Sequence, residues 1–128
     1  MVEECPAIDP ARDADFLEAA ARRLAVYGTL APGEVNHAWI AGLRGAWTLG
    51  HVHGELHPLG WGTTHGFPGL RWRAEGPRVR VRIFTSPDLP GFWDRLDAFE
   101  GSAYRRIVVP VHGENGELLL ANLYSVSP

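Results

Sequence analysis

Residues 78–84, RVRVRIF, alternate a charged and a branched apolar side chain at every step. Successive strand side chains point to opposite faces. Val79, Val81 and Ile83 are therefore expected to face a core, and Arg78, Arg80 and Arg82 to face water. YRRIVVPVH (104–112) and ELLLANLYSV (117–126) read as two further strands, joined near Asn115-Gly116, a strong hairpin signal. AWTLGHVHGELH (46–57) alternates like a strand with glycines that permit bends, and LAVY (24–27) reads as a short buried one. Helix signals are fewer. RDADFLEAAARRL (12–24) carries acids early and Arg22-Arg23 late, which suits the helix dipole, with Phe16, Leu17, Ala20 and Leu24 on one side. SPDLPGFWDRLDAFEG (86–101) opens with Ser and Pro and closes with Gly, as a short helix does. NHAWIAG (36–42) predicts a brief helix capped by Asn36, and residues 58–70, rich in Gly, Pro and Thr, predict a long loop. Strands, one main internal helix, then strands, with no regular βαβ alternation, predict an α+β fold with a mostly antiparallel, curved or barrel-like sheet.

The chain has 128 residues, a length that suits one domain with a real core. Its formal charge is −3, so the electrostatic footprint of a nucleic-acid binder is missing. The single cysteine, Cys5, forms no internal disulfide and implies no oxidising compartment. No run approaches the ~18 apolar residues of a membrane span, and the acidic MVEECPAIDP start lacks a signal-peptide pattern. A soluble cytoplasmic protein is expected.

One carboxylate is out of place. On a helical wheel Phe92, Leu96 and Phe99 form an apolar stripe. Glu100 falls about 40° from Leu96 and about 20° from Trp93, whereas Asp94 lies well away. Glu100 also sits at the helix C-terminus, where the dipole disfavours an anion. Burial and dipole both raise a carboxyl pKa toward the range in which a general base works best. Two readings are open: an acid/base group, or a structural partner of Arg105 or Arg106.

In YGTL (27–30) a strand stops at a glycine. The amides of Gly28, Thr29 and Leu30 are placed to turn toward an anion such as a carboxylate, with Tyr27 as a wall; an ordinary turn that holds nothing is the other reading. Loop donors for a carboxylate and, ~70 residues later in the chain, an acid of raised pKa suit a small amino-acid-like substrate whose amine must lose a proton.

VYGTLAPGEVNH (26–37), GFPGL (66–70) and RLDAFEGSAYRR (95–106), in this order, resemble the gamma-glutamyl cyclotransferase-like family, of gamma-glutamylamine cyclotransferase type, and a bacterial member is expected. The resemblance covers about residues 24–125. It divides the chain into an N-terminal extension with one helix (1–23) and the family domain (24–128). It implies a compact mixed α+β fold, a mostly antiparallel small β-barrel with one main internal helix. It implies a cofactor-free reaction in which the substrate's α-amino group attacks its own γ-carbonyl, giving 5-oxoproline and a free amine. The family's catalytic glutamate falls on Glu100, and its glutamyl-binding loop on Tyr27, Gly28, Thr29 and Leu30. A tyrosine near the cavity falls on Tyr104, after a GSA segment shorter than in some eukaryotic members. The expected partner is a small γ-glutamyl substrate, with no nucleic acid and no membrane, for a monomer or weak homodimer. A binding module for a small carboxylate, and a related cyclisation of a bulkier substrate, are the alternative functions.

Other residues are less telling. His51 and His53 share a strand face and with His57 or His65 have zinc-ligand character, but no Cys or acid pair supports them, so a surface role and no metal are expected. The arginine row reads as a solvated face, with steering of an anionic substrate as the other possibility. Trp39, Trp47, Trp61, Trp72 and Trp93 are expected mostly in the core, Trp61 in a loop that lines a cavity. No G-x-S-x-G or P-loop pattern occurs.

Overall fold

In a computed structural model of the chain, the strand read from RVRVRIF runs over Arg78–Thr85, with Val81 and Ile83 buried and Arg78, Arg80 and Arg82 exposed. The structure describes residues 3–4, 14–27, 37–57, 69–101 and 104–126. In chain order these form β1 (Glu3–Glu4), α1 (Ala14–Ala20), β2 (Arg23–Val26), a 3-10 turn (His37–Trp39), β3 (Ala46–His57), β4 (Gly69–Trp72), β5 (Arg78–Thr85), a second 3-10 turn (Leu89–Gly91), α2 (Trp93–Glu100), β6 (Tyr104–Gly113) and β7 (Leu118–Val126).

The strands form one sheet in the order β1-β6-β7-β2-β5-β3-β4, and an added β3–β6 pairing closes β6-β7-β2-β5-β3 into a barrel. Antiparallel pairs dominate, as expected; only β1–β6 and β2–β7 are parallel. Closure depends on glycine. A Cβ on Gly50 would lie 2.6 Å from the His112 carbonyl oxygen, so Gly50 lets β6 lie against β3 through the pairs Gly50–Gly113 and His51–His112. The β6–β7 hairpin turns where expected, with Gly116 at φ 86° and the Gly113 N–H donating to the Glu117 carbonyl.

Alternate residues of the strands serve two packing layers. Ala25, Val52, Val81, Ile83, Val109, Val111, Ala121 and Leu123, drawn from all five barrel strands, pack into one cluster with Leu70 of β4. Their neighbours Leu24, Val26, Phe84 and Tyr124 point the other way and pack with Ile40, Leu89, Trp93 and Leu96. Because β2 is covered on both faces, Leu24-Ala25-Val26 is a continuous apolar run rather than an alternating one.

Four expectations are corrected. The helix read over 12–24 is α1, Ala14–Ala20. Arg23 and Leu24 belong instead to β2, held between β5 and β7, and that pairing outweighs local helix preference. Phe16 is 64% exposed, so it does not share the buried side with Ala20. The helix read over 86–101 breaks into the Leu89–Gly91 turn and α2, because Pro90 and Gly91 interrupt continuous helical bonding. The loop read over 58–70 gives its last two residues to β4; 58–68 lie outside the described residues, as do the Asn36 cap and Trp61. Within the described residues 37–42, the brief helix is the 3-10 turn His37–Trp39. No helix among the described residues is long and apolar enough to cross a membrane.

Candidate active site

α2 is a short helix with its apolar side on the second cluster: Trp93 and Leu96 are buried there, and Phe92 and Phe99 pack beside them. Asp94 is exposed. Gly101, at φ 77°, stops the helix immediately after Glu100. At the same end of the barrel β2 runs out into Tyr27 and β6 begins at Tyr104, which pairs with Val126 at the end of β7. The Tyr27 ring packs against the first cluster and the Tyr104 ring against the second.

Glu100 is placed among tyrosines. Its charge acts on Tyr27, Tyr104 and Tyr124, raising the pKa of each beyond what burial already does. Tyr104 is pushed up to about 12, by burial first and by Glu100 second. The Tyr27 hydroxyl donates to the Tyr124 carbonyl at 2.6 Å, and the Leu70 backbone also approaches it. Both phenols therefore stay protonated at neutral pH and act as hydrogen-bonding groups. Burial pushes Glu100 from 4.5 up to about 7. Among the described residues Glu100 makes no ion pair. The pairing with Arg106 that the sequence left open is not formed, because Arg106 is bound elsewhere.

That other partner is Asp97, which the sequence reading did not single out. Arg106 Nε and a terminal guanidinium nitrogen donate to the two Asp97 oxygens at 2.8 and 3.2 Å. Arg106 also donates to Asn122 Oδ1, and its guanidinium lies 4.5 Å from the Trp93 ring centroid. The Tyr124 hydroxyl donates to Asp97 Oδ1 at 2.7 Å. Asn122 Nδ2 donates in turn to the Ala20 carbonyl, and Trp93 Nε1 to that of Ala21, so the network ties α2 to the end of α1 as well as to the sheet. Burial alone would raise Asp97, but the Arg106 and Tyr124 hydrogen bonds hold it below its ordinary value. Two carboxyls one helical turn apart are thus pushed in opposite directions, one kept ionised and one poised near neutrality. Such a split separates a positioning group from an acid/base group. The sequence signal for Asp97 was its place one turn before Glu100; its partners come from β6 and β7 and are invisible to a helical wheel.

Gly28, Thr29 and Leu30, read as the carboxylate-binding loop, lie outside the described residues. Tyr27, Glu100 and Tyr104 are brought together at one end of the barrel.

A closed mixed barrel of five strands with one near-neutral carboxyl at its end defines a small α+β domain class. The chain belongs to the gamma-glutamyl cyclotransferase, AIG2-like family, whose model matches residues 24–128. Among solved structures it is similar to an AIG2-like protein from Mus musculus, at 25% identity and a TM-score of 0.63, covering 83% of this chain and 77% of that one. It is similar in fold to an uncharacterized protein from Pyrococcus horikoshii (21% identity, TM-score 0.57, 83% and 78% covered). A protein from Arabidopsis thaliana also shares the fold (20% identity, TM-score 0.64, 82% and 68% covered). A search of curated proteins finds no match.

Proposed function

We propose that this protein cyclises a γ-glutamyl amide, amine or peptide to 5-oxoproline with release of the free amine. The observation that carries the proposal is Glu100, pushed up to about 7 by burial at the barrel end where its charge reaches Tyr27 and Tyr104. An α-ammonium group loses its proton near pH ~8, so a carboxylate of pKa near 7 accepts that proton at little free-energy cost. The freed nitrogen forms a bond to the γ-carbonyl carbon, closing a five-membered lactam. The bond from that carbon to the leaving nitrogen breaks as the proton held on Glu100 passes to it, and the attacking nitrogen gives up its second proton to the departing amine, which leaves as an ammonium ion. Glu100 ends the cycle ionised, as it began. Tyr27 and Tyr104, both protonated, wall the site, and the Gly28–Leu30 amides are assigned to the substrate carboxylate by their family correspondence. In this reading residues 1–23 are an extension to the catalytic domain of residues 24–128.

The test is incubation with a panel of γ-glutamyl amino acids, amines and peptides, with 5-oxoproline followed by mass spectrometry and Glu100→Gln assayed beside the wild type. Wild-type release with an inflection near pH 7, and loss of at least about 10²-fold in the variant, are expected. A panel ligand that raises the melting temperature without release would make the protein a binding module instead. Equal turnover by Glu100→Gln would remove Glu100 from the mechanism.

A further inference from the structure

The β3–β6 seam that closes the barrel carries a second group of chemistry-bearing side chains. His51 and His53 project from one face of β3, and His112 projects from β6 directly opposite His51. Among the described residues the third histidine is His112; the His57 side chain and His65, the partners that the sequence offered, lie outside them. The His51 and His112 rings stack with centroids 4.8 Å apart, and His53 meets them edge-on at 5.5 and 5.6 Å. One nitrogen of each ring lies within 4.8 Å of one nitrogen of the other two.

The geometry points to a zinc-binding site formed by His51, His53 and His112, with the fourth position open to solvent. Three nitrogens up to 4.8 Å apart leave a common point about 2.8 Å from each; turning the His51 and His112 rings out of their near-parallel stack, with a shift of about 1 Å, brings their in-plane lone pairs to the ~2.0–2.1 Å of a zinc–imidazole bond. His53 is already oriented for the task. Its Nδ1 lies 2.8 Å from the Gly76 carbonyl oxygen, which can only accept, so Nδ1 carries the proton and Nε2 is left as the ligand atom. An imidazole fixed by a backbone carbonyl on its far nitrogen is the usual outer support of a metal-bound histidine. Arg78 and Arg80 stand opposite His53 and His51 on β5, but both are exposed, so solvent and salt weaken their repulsion of a cation.

The site is separate from Glu100. His112 lies eight residues beyond Tyr104, about 26 Å along β6. It spans the one strand pairing that closes the barrel, so an ion there would fasten β3 to β6. The assignment does not depend on the cyclotransferase reading.

The test uses the full chain with Cys5→Ser, which removes the one thiol that competes for zinc, stripped of metal with a chelator. Zinc chloride is titrated by calorimetry, cobalt is substituted to read tetrahedral coordination by its visible absorption, and melting temperature is measured with and without zinc. One zinc per chain, a tetrahedral cobalt spectrum and a zinc-dependent rise in melting temperature are expected. His112→Ala, at an exposed position, and His51→Ala should each weaken binding at least about tenfold and abolish the thermal rise, with circular dichroism confirming the fold. His37→Ala and Glu100→Gln should bind as the parent does. Absent zinc binding, binding indifferent to both histidine substitutions, or a thermal rise produced by inorganic phosphate and not by zinc would each overturn the assignment.

Discussion

Glu100→Gln should stabilise this protein while it destroys activity. The side chain keeps its size and loses its charge. Burial lifts the Glu100 carboxyl from 4.5 to about 7, so at pH values between these two the folded chain holds a proton that the unfolded chain has released. Stability then falls as pH rises through that window, because the folded state binds more protons than the unfolded one. The contribution is fully present below about pH 4.5 and lost above about pH 7. At 1.36 kcal/mol per pH unit the loss sums to about 3 kcal/mol. Glutamine does not ionise and escapes it. The assay is urea unfolding of wild type and variant at several pH values from 4.5 to 8.5. The variant's advantage should grow from near zero at the acid end to about 3 kcal/mol at pH 8. For 128 residues this corresponds to roughly 10 °C in melting temperature. A stability difference that stays constant across this range would show that Glu100 titrates normally, and the case for a base poised near neutrality would fail with it. A gain in stability paired with loss of turnover is the trade expected where a site keeps a charge in a poorly solvated place.

Two other substitutions probe the frame around the site. Asp97→Asn removes the charge that binds Arg106 and Tyr124, leaving a half-buried guanidinium without its anion; the urea midpoint should drop by the equivalent of about 2–3 kcal/mol, and 5-oxoproline formation should fall even where the chain remains folded. Gly50→Ala places a methyl 2.6 Å from the His112 carbonyl oxygen, so hydrogen exchange should quicken at the β3–β6 pairing and stability should fall by about 1–3 kcal/mol.

What could be read without the structure follows a physical rule. β5, the β6–β7 hairpin and β3 were legible because a strand records its own alternation and its turn chemistry within ten or so residues. Glu100 was legible for the same reason: the angle it makes with Leu96 and Trp93 is a property of one helix. The last residues of the 12–24 helix, Arg23 and Leu24, form strand instead because β2 is selected by its two neighbours, β5 and β7, which are remote in the chain. The burial that raises Glu100 and the network that lowers Asp97 come from the same kind of cause, since Tyr104 and Arg106 belong to β6, Tyr124 to β7, and Tyr27 follows the end of β2.

By itself the sequence determined the kind of each well-patterned segment, the α+β class and the carboxyl at the edge of a buried stripe, all of which depend on residues close together in the chain. Only the tertiary structure decided which strands pair, that β3 meets β6 to close the barrel, that Arg106 binds Asp97 rather than Glu100, and that His112 joins His51 and His53. These are meetings between elements: strand register sets the histidine group, and the packing of α2 on the sheet sets the Asp97–Arg106 pair. In the β6–β7 hairpin the turn fixes register locally, but between strands remote in the chain register is set by which faces pack together, and that depends on the whole sheet.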